Sequence, residues 1–122
     1  MTELKPKEIA IALFIKELTT KLGIEEVNLD LLNKVVTKLA PVSYNIQSDS
    51  AFVSGKDETE INTVVKSIFI KNLGYEETTD VHETMVKKAI EKYGISNSRK
   101  YRVPLTYIII NDNDLVEDYL AL

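Results

Sequence analysis

Apolar side chains recur at helical spacing through most of this chain, and the breaks between stripes fall at residues that end or start helices. Ile11, Phe14, Ile15, Leu18 and Leu22 share a face between Pro6, suited to a first turn, and Gly23, a left-handed stop. They predict a helix from about Pro6 to Leu22. Asn28 is placed to cap a second helix with the stripe Leu29, Leu32, Val35, Val36 and Leu39, ended by Ala40 and Pro41. From Val42 to Gly55 the period is lost, and isolated Tyr44, Ile46, Phe52 and Val53 among serines and asparagine read as an ordered loop.

The clearest stripe follows. Asp57 and Glu60 have the spacing of a capping box, and Ile61, Val64, Val65, Ile68, Phe69 and Leu73 run on one face to Gly74. Asp80 and Glu83 repeat that spacing ahead of Val86, Ala89, Ile90 and Tyr93, and Gly94 closes the segment. Residues 103–110 are ambiguous, because Val103, Thr106 and Ile108 to Ile110 are β-branched and Pro104 would interrupt a helix begun at Ser98. A short terminal helix capped by Asp114 with Glu117 carries Leu115, Val116, Tyr119 and Leu120. The expected fold is all-α, a bundle of about five helices, with α+β as the alternative if 103–110 form a strand. Residues 1–122 read as one helical domain: an N-terminal helix pair over 1–41, the loop over 42–56, and C-terminal helices over 57–122.

A weak internal repeat supports pairing of the helices. Leu22-Gly23-Ile24-Glu25-Glu26 recurs as Leu73-Gly74-Tyr75-Glu76-Glu77, each followed by a helix with lysine pairs. Two stacked helical hairpins plus a C-terminal helical segment would produce that echo.

Composition narrows the function classes. With no cysteine, disulfides, thiolate metal sites and cysteine nucleophiles are excluded together, and a reducing, cytoplasmic setting fits. The longest apolar run, Ile9 to Ile15, is far short of the roughly 18 residues a membrane span needs, so no membrane partner is expected. Nineteen acidic against fifteen basic residues give a net charge of −4, which argues against nucleic acid as a default partner. The charge is uneven. Residues 111–122 carry Asp112, Asp114, Glu117 and Asp118 with no base, whereas Lys87, Lys88, Lys92, Arg99, Lys100 and Arg102 face only Glu91. That basic segment is the candidate anion-binding site, with Tyr93 and Tyr101 available for stacking.

Catalytic and metal-binding patterns fail at identifiable positions. His82-Glu83 lacks a second histidine four residues on, where Val86 stands. Gly55-Lys56 lacks both the upstream glycine, replaced by Ser50, and the hydroxyl, replaced by Asp57, of a phosphate loop. The oxygens of Asn111 to Asp114 lack the glycine and final glutamate of a calcium loop. No catalytic, cofactor-binding or metal-binding residue is therefore assigned, and no cofactor is expected. The first helix carries more apolar surface than one buried face needs, since Ile9 and Leu13 lie nearly opposite the main stripe. Either the terminal helix covers that pair or it is a partner surface. The reading is a noncatalytic helical module that binds another protein or itself; the alternative is weak nucleic-acid or phosphate binding through 87–102.

Several pieces together resemble one family. They are Val53-Ser54, Asp57, Glu60 and Val64, then Ile68-Phe69-Ile70-Lys71-Asn72-Leu73-Gly74, then Lys100-Tyr101-Arg102-Val103 ahead of an apolar, tyrosine-bearing segment. Over Asp49 to Tyr107 the chain resembles small uncharacterised bacterial proteins catalogued as domain of unknown function 2853. Asn72, Ser98 and Leu105-Thr106 depart from that pattern. The resemblance implies a small all-helical fold, turns residues 103–110 from strand toward helix, and carries no catalytic residues.

Overall fold

The computed structural model describes residues 6–39, 52–53, 58–94 and 100–122. Among these, helices are α1 (Pro6–Thr20), α2 (Leu29–Lys38), α3 (Glu58–Val65), α4 (Asp80–Tyr93), α5 (Arg102–Asp112) and α6 (Val116–Leu120). The third runs on without a break as a π-helix, π1 (Lys66–Asn72). The fold is all-α. Its extended backbone among the described residues is one two-residue antiparallel pairing, β1 (Phe52–Val53) with β2 (Lys100–Tyr101), in which Phe52 faces Tyr101 and Val53 faces Lys100.

The centre of the bundle is α5. Every residue from Val103 to Ile110 is buried, and α1, α2, α4 and α6 all pack against this helix. A helix covered on all sides has no polar face, which is why its sequence shows no 3.6-residue period. The alternative strand over 103–110 is therefore replaced by a helix. Pro104 does not interrupt it, because α5 begins at Arg102 and the proline lies in the first turn, where its missing N–H has no partner to lose. Thr106 donates its hydroxyl to the Arg102 carbonyl at 2.9 Å, so its one polar group is satisfied inside the helix.

Asn28 caps α2 as its type suggests, its side chain accepting from the Leu31 N–H at 3.1 Å. The Asn28 N–H in turn donates to the buried Tyr107 hydroxyl at 2.8 Å, tying this cap to α5. The buried stripe of α2 is Leu31, Leu32, Val35 and Val36. Leu29, expected in it, is 59% exposed, and Leu31 is buried in its place. The α3–π1 stripe of Ile61, Val64, Val65, Ile68 and Phe69 is buried as expected, with Leu73 partly buried. The π-helical turns close with Leu73 N–H to Ile68 O at 2.9 Å, a five-residue step that the apolar spacing did not reveal. On α4, Val86, Ala89, Ile90 and Tyr93 are buried.

The two glycine turns of the internal repeat have the same backbone geometry. Gly23 and Gly74 sit at φ of 67° and 78°, the left-handed region that costs other L-residues energy. After each, the next residue donates back six positions: Ile24 to Leu18 O at 3.0 Å and Tyr75 to Phe69 O at 2.8 Å. The repeat is thus a repeated helix-ending turn, joining α1 to α2 and π1 to α4.

Other expectations are corrected or fall outside the described residues. The N-cap of α4 is Thr79, not Asp80, and α6 has no side-chain cap, since Asp114 takes up a left-handed φ of 57° instead. The terminal helix packs on α2 and α5, burying Tyr119 completely, and Ile9 on α1 stays 45% exposed. Asp57 as a cap, the Ala40 and Pro41 stop, and the loop over 42–56 apart from Phe52 and Val53 lie outside the described residues.

Candidate functional site

Two polar features are built into this bundle, one sealed and one open. The sealed one starts from Glu17, a carboxylate only 8% exposed on the inward side of α1. Tyr93, at the end of α4, donates its hydroxyl to Glu17 Oε2 at 2.8 Å, and Lys21 Nζ lies 3.2 Å from Oε1. The Tyr93 hydroxyl also accepts the Tyr101 N–H at 3.2 Å, fixing β2 just ahead of α5. The ring of Tyr101 then meets Phe14 edge-on, with centroids 5.6 Å apart. Burial pushes the Tyr93 phenol well above its ordinary range, and the neighbouring carboxylate adds to that, since a proton held between the two oxygens stabilises both. This network spans α1, α4 and β2 with its hydroxyl and carboxylate committed to partners, and its chemistry is positioning.

A further polar cluster, partly exposed, sits at the start of α4. Thr79 accepts the Val81 N–H at 3.3 Å, and His82 Nδ1 accepts the Thr79 N–H at 3.0 Å, a capping box with histidine in the role usually taken by glutamate or glutamine. The π-helical turns deliver Phe69 to the His82 ring at 4.4 Å between centroids, and Tyr75 stands 5.4 Å from the same ring. The lone histidine is thus a cap, as a residue near a helix start would be.

The open feature runs along α4. Asp80, Val81, Thr84, Met85 and Lys88 with Asn113 line a recess of about 350 Å³, and Met85, Lys88, Ala89, Lys92, Ile108, Asp112 and Asn113 line an adjoining one of about 270 Å³. The floor is apolar and the rim charged. Lys92 Nζ closes one end at 3.0 Å from Asp112 Oδ2, and Asn113 Nδ2 donates to the Ile109 carbonyl at 2.7 Å, fixing the end of α5 beside the groove. Val81 is 61% exposed at the other end.

The fold gives the sequence-derived site residues different surroundings. Lys87 lies 2.9 Å from Glu83 and 3.4 Å from Glu58, and the Glu83 hydrogen bond first, then the two carboxylate charges, raise its pKa. Lys92 is paired with Asp112. Arg102, half-buried at the start of α5, has its pKa lowered by desolvation, against the opposing pull of Glu60. Lys88 is exposed and forms no ion pair among the described residues. Lys100 contributes backbone to β2, and Arg99 lies outside the described residues. Among the described residues, Lys88 and Lys92 line the same recess, Lys87 meets acids beside it, and Arg102 stands apart at the start of α5. Of the pair Ile9 and Leu13, Ile9 is exposed on α1 and Leu13 is partly buried against the core. Glu17 was missed, although a carboxylate set between Phe14 and Leu18 on an apolar stripe is itself a signal. Among the described residues no group of three or more His, Cys, Asp or Glu is placed to hold a metal ion, and no helix is long and apolar enough to cross a membrane.

These features define a small helical bundle with a sealed polar core network and an amphipathic open groove. The chain belongs to the protein family of unknown function DUF2853, whose model matches residues 14–116. No curated protein matches the chain.

Proposed function

We propose that this chain is a noncatalytic helical interaction module of the bacterial cytoplasm, a compartment that a cysteine-free chain fits. The observation that carries the reading is apolar surface left on the outside of a bundle whose core is already filled. Ile9 is 45% exposed on α1, next to Leu13, after α6 has been taken up by α2 and α5. Exposed apolar side chains grouped on a helix are the usual material of partner recognition. Against polyanion binding through 87–102 stand the acids that meet Lys87 and Lys92 at 2.9 to 3.4 Å.

The test is native purification of the full chain from its source cells, beside Ile9→Glu and the double variant Ile9→Glu with Leu13→Glu. A protein retained in defined proportion and lost from Ile9→Glu, with thermal stability kept, supports the reading. Because Leu13 touches the core, the double variant reports packing as well, and the single variant decides. Bound RNA or a small molecule in place of protein would overturn it.

A further inference from the structure

Val81 is the most exposed large apolar side chain among the described residues, and its surroundings have an order that one kind of partner matches. Asp80, Val81, Thr84, Met85 and Lys88 fall at spacings of one, three, one and three residues, so they form a single stripe along α4, and all five line the same open recess. Along that stripe the acid stands at the N-terminal end and the base at the C-terminal end, eight residues or about 12 Å apart. Thr84 lies midway. Its hydroxyl is already donated to the Asp80 carbonyl at 2.8 Å, so a small and internally satisfied side chain marks the centre. Neither Asp80 nor Lys88 forms an ion pair among the described residues, whereas Lys87 and Lys92 do.

We propose that α4 docks antiparallel on α4 of a second copy of this chain, about a two-fold axis passing beside Thr84. The stripe is complementary to itself only when reversed. In the antiparallel pair Asp80 of each copy comes level with Lys88 of the other, so one symmetry operation forms two ion pairs. A parallel pair would set acid against acid and base against base. Val81 of one copy falls within one turn of Met85 of the other, where the open recess beside Asn113 accepts it. Thr84 at the crossing lets the helix backbones approach closely. One face of a fourteen-residue helix buries less than the roughly 800 Å² per partner of a standard interface, so this dimer is weak and rapidly exchanging. The proposal deepens the interaction reading and rests on it, but it places the contact on α4 rather than on Ile9 and Leu13 of α1.

Sedimentation velocity of the full chain, run from about 10 μM to about 1 mM at low salt, reads the result directly. The expected outcome is concentration-dependent dimer formation, weakened at about 0.5 M salt because the paired charges lie at an exposed rim. Asp80→Lys and Lys88→Asp should each weaken association at least about tenfold, and an equimolar mixture of the two variants should restore it, since every acid then meets a base. Val81→Glu should abolish it. Asp80→Lys also removes an acid from a helix N-terminus; if that variant fails to fold by circular dichroism, Lys88→Asp and Val81→Glu decide. A chain still monomeric at about 1 mM overturns the proposal, as does a dimer indifferent to Val81→Glu. A dimer lost in Ile9→Glu and kept in Val81→Glu also overturns it, while leaving the interaction reading standing on α1.

Discussion

Removing a single oxygen, in Tyr93→Phe, tests how the bundle is held together at its polar centre. The hydroxyl does two things at once: it donates to Glu17 Oε2 at 2.8 Å and accepts the Tyr101 N–H at 3.2 Å. Hydrogen bonds to a charged group contribute about 1.5–3 kcal/mol, and a partly buried N–H without an acceptor adds about 1 kcal/mol, so the expected loss is about 2.5–4 kcal/mol. Most of it arises because the Glu17 carboxylate, 8% exposed, is left with Lys21 alone. That reasoning carries a second expectation. If the penalty is an uncompensated buried charge, Glu17→Met should relieve it, and the double variant should be more stable than the sum of the two single losses by at least about 1 kcal/mol. Urea unfolding of the four proteins by circular dichroism gives the cycle, with an unchanged m-value showing that the same surface is exposed in each. A Tyr93→Phe loss below about 0.5 kcal/mol, or additive single losses, would refute the network's role.

Tyr119 presents the opposite case, a fully buried hydroxyl with no hydrogen-bond partner among the described residues; Tyr119→Phe should be neutral or raise stability by about 1 kcal/mol, and a measured loss above about 1 kcal/mol would show a partner. Burial pushes the phenols of Tyr93 and Tyr119 above their ordinary value near 10, so the unfolded chain releases these protons first. Stability is then fully present below pH about 10 and should fall above it by up to about 1.4 kcal/mol per pH unit for each phenol, a slope that Tyr93→Phe and Tyr119→Phe should each reduce in unfolding titrations. Phe69→Ala empties a fully buried site under the His82 ring and should cost about 3–5 kcal/mol, and a loss below about 1 kcal/mol would mean that π1 does not anchor α4.

The elements legible in the sequence are those with one wet face. On α3, π1 and α4 polar residues separate the apolar ones, so the period survives, and Ile61, Val64, Val86 and Ile90 are buried where the spacing puts them. The α5 segment was ambiguous for the converse reason. Covered on every side, it had no polar residues to mark a period, and its β-branched content pointed the wrong way. The cap of α4 was misplaced by one residue because histidine at the third position does not fit the glutamate or glutamine pattern, although its Nδ1 accepts the same backbone N–H.

Charge is the property that sequence represents worst here. Six basic residues against one acid within 87–102 suggest a patch, but electrostatic partners are set by folding and not by proximity along the chain. Glu58 reaches Lys87 from α3, and Asp112 reaches Lys92 from the end of α5, twenty positions away in sequence. At 3 to 3.5 Å such contacts quench the local field that a linear count predicts. Lys88, one residue from Lys87, lines the groove instead, because a step of about 100° around α4 separates the two side chains. Lys88 shares with Asp80 and Thr84 a row of positions four residues apart that lines the groove, so two charges of opposite sign that form no ion pair among the described residues belong to one stripe. A surface of that kind selects a partner with the reverse order of charges, and the chain carries such a surface on itself.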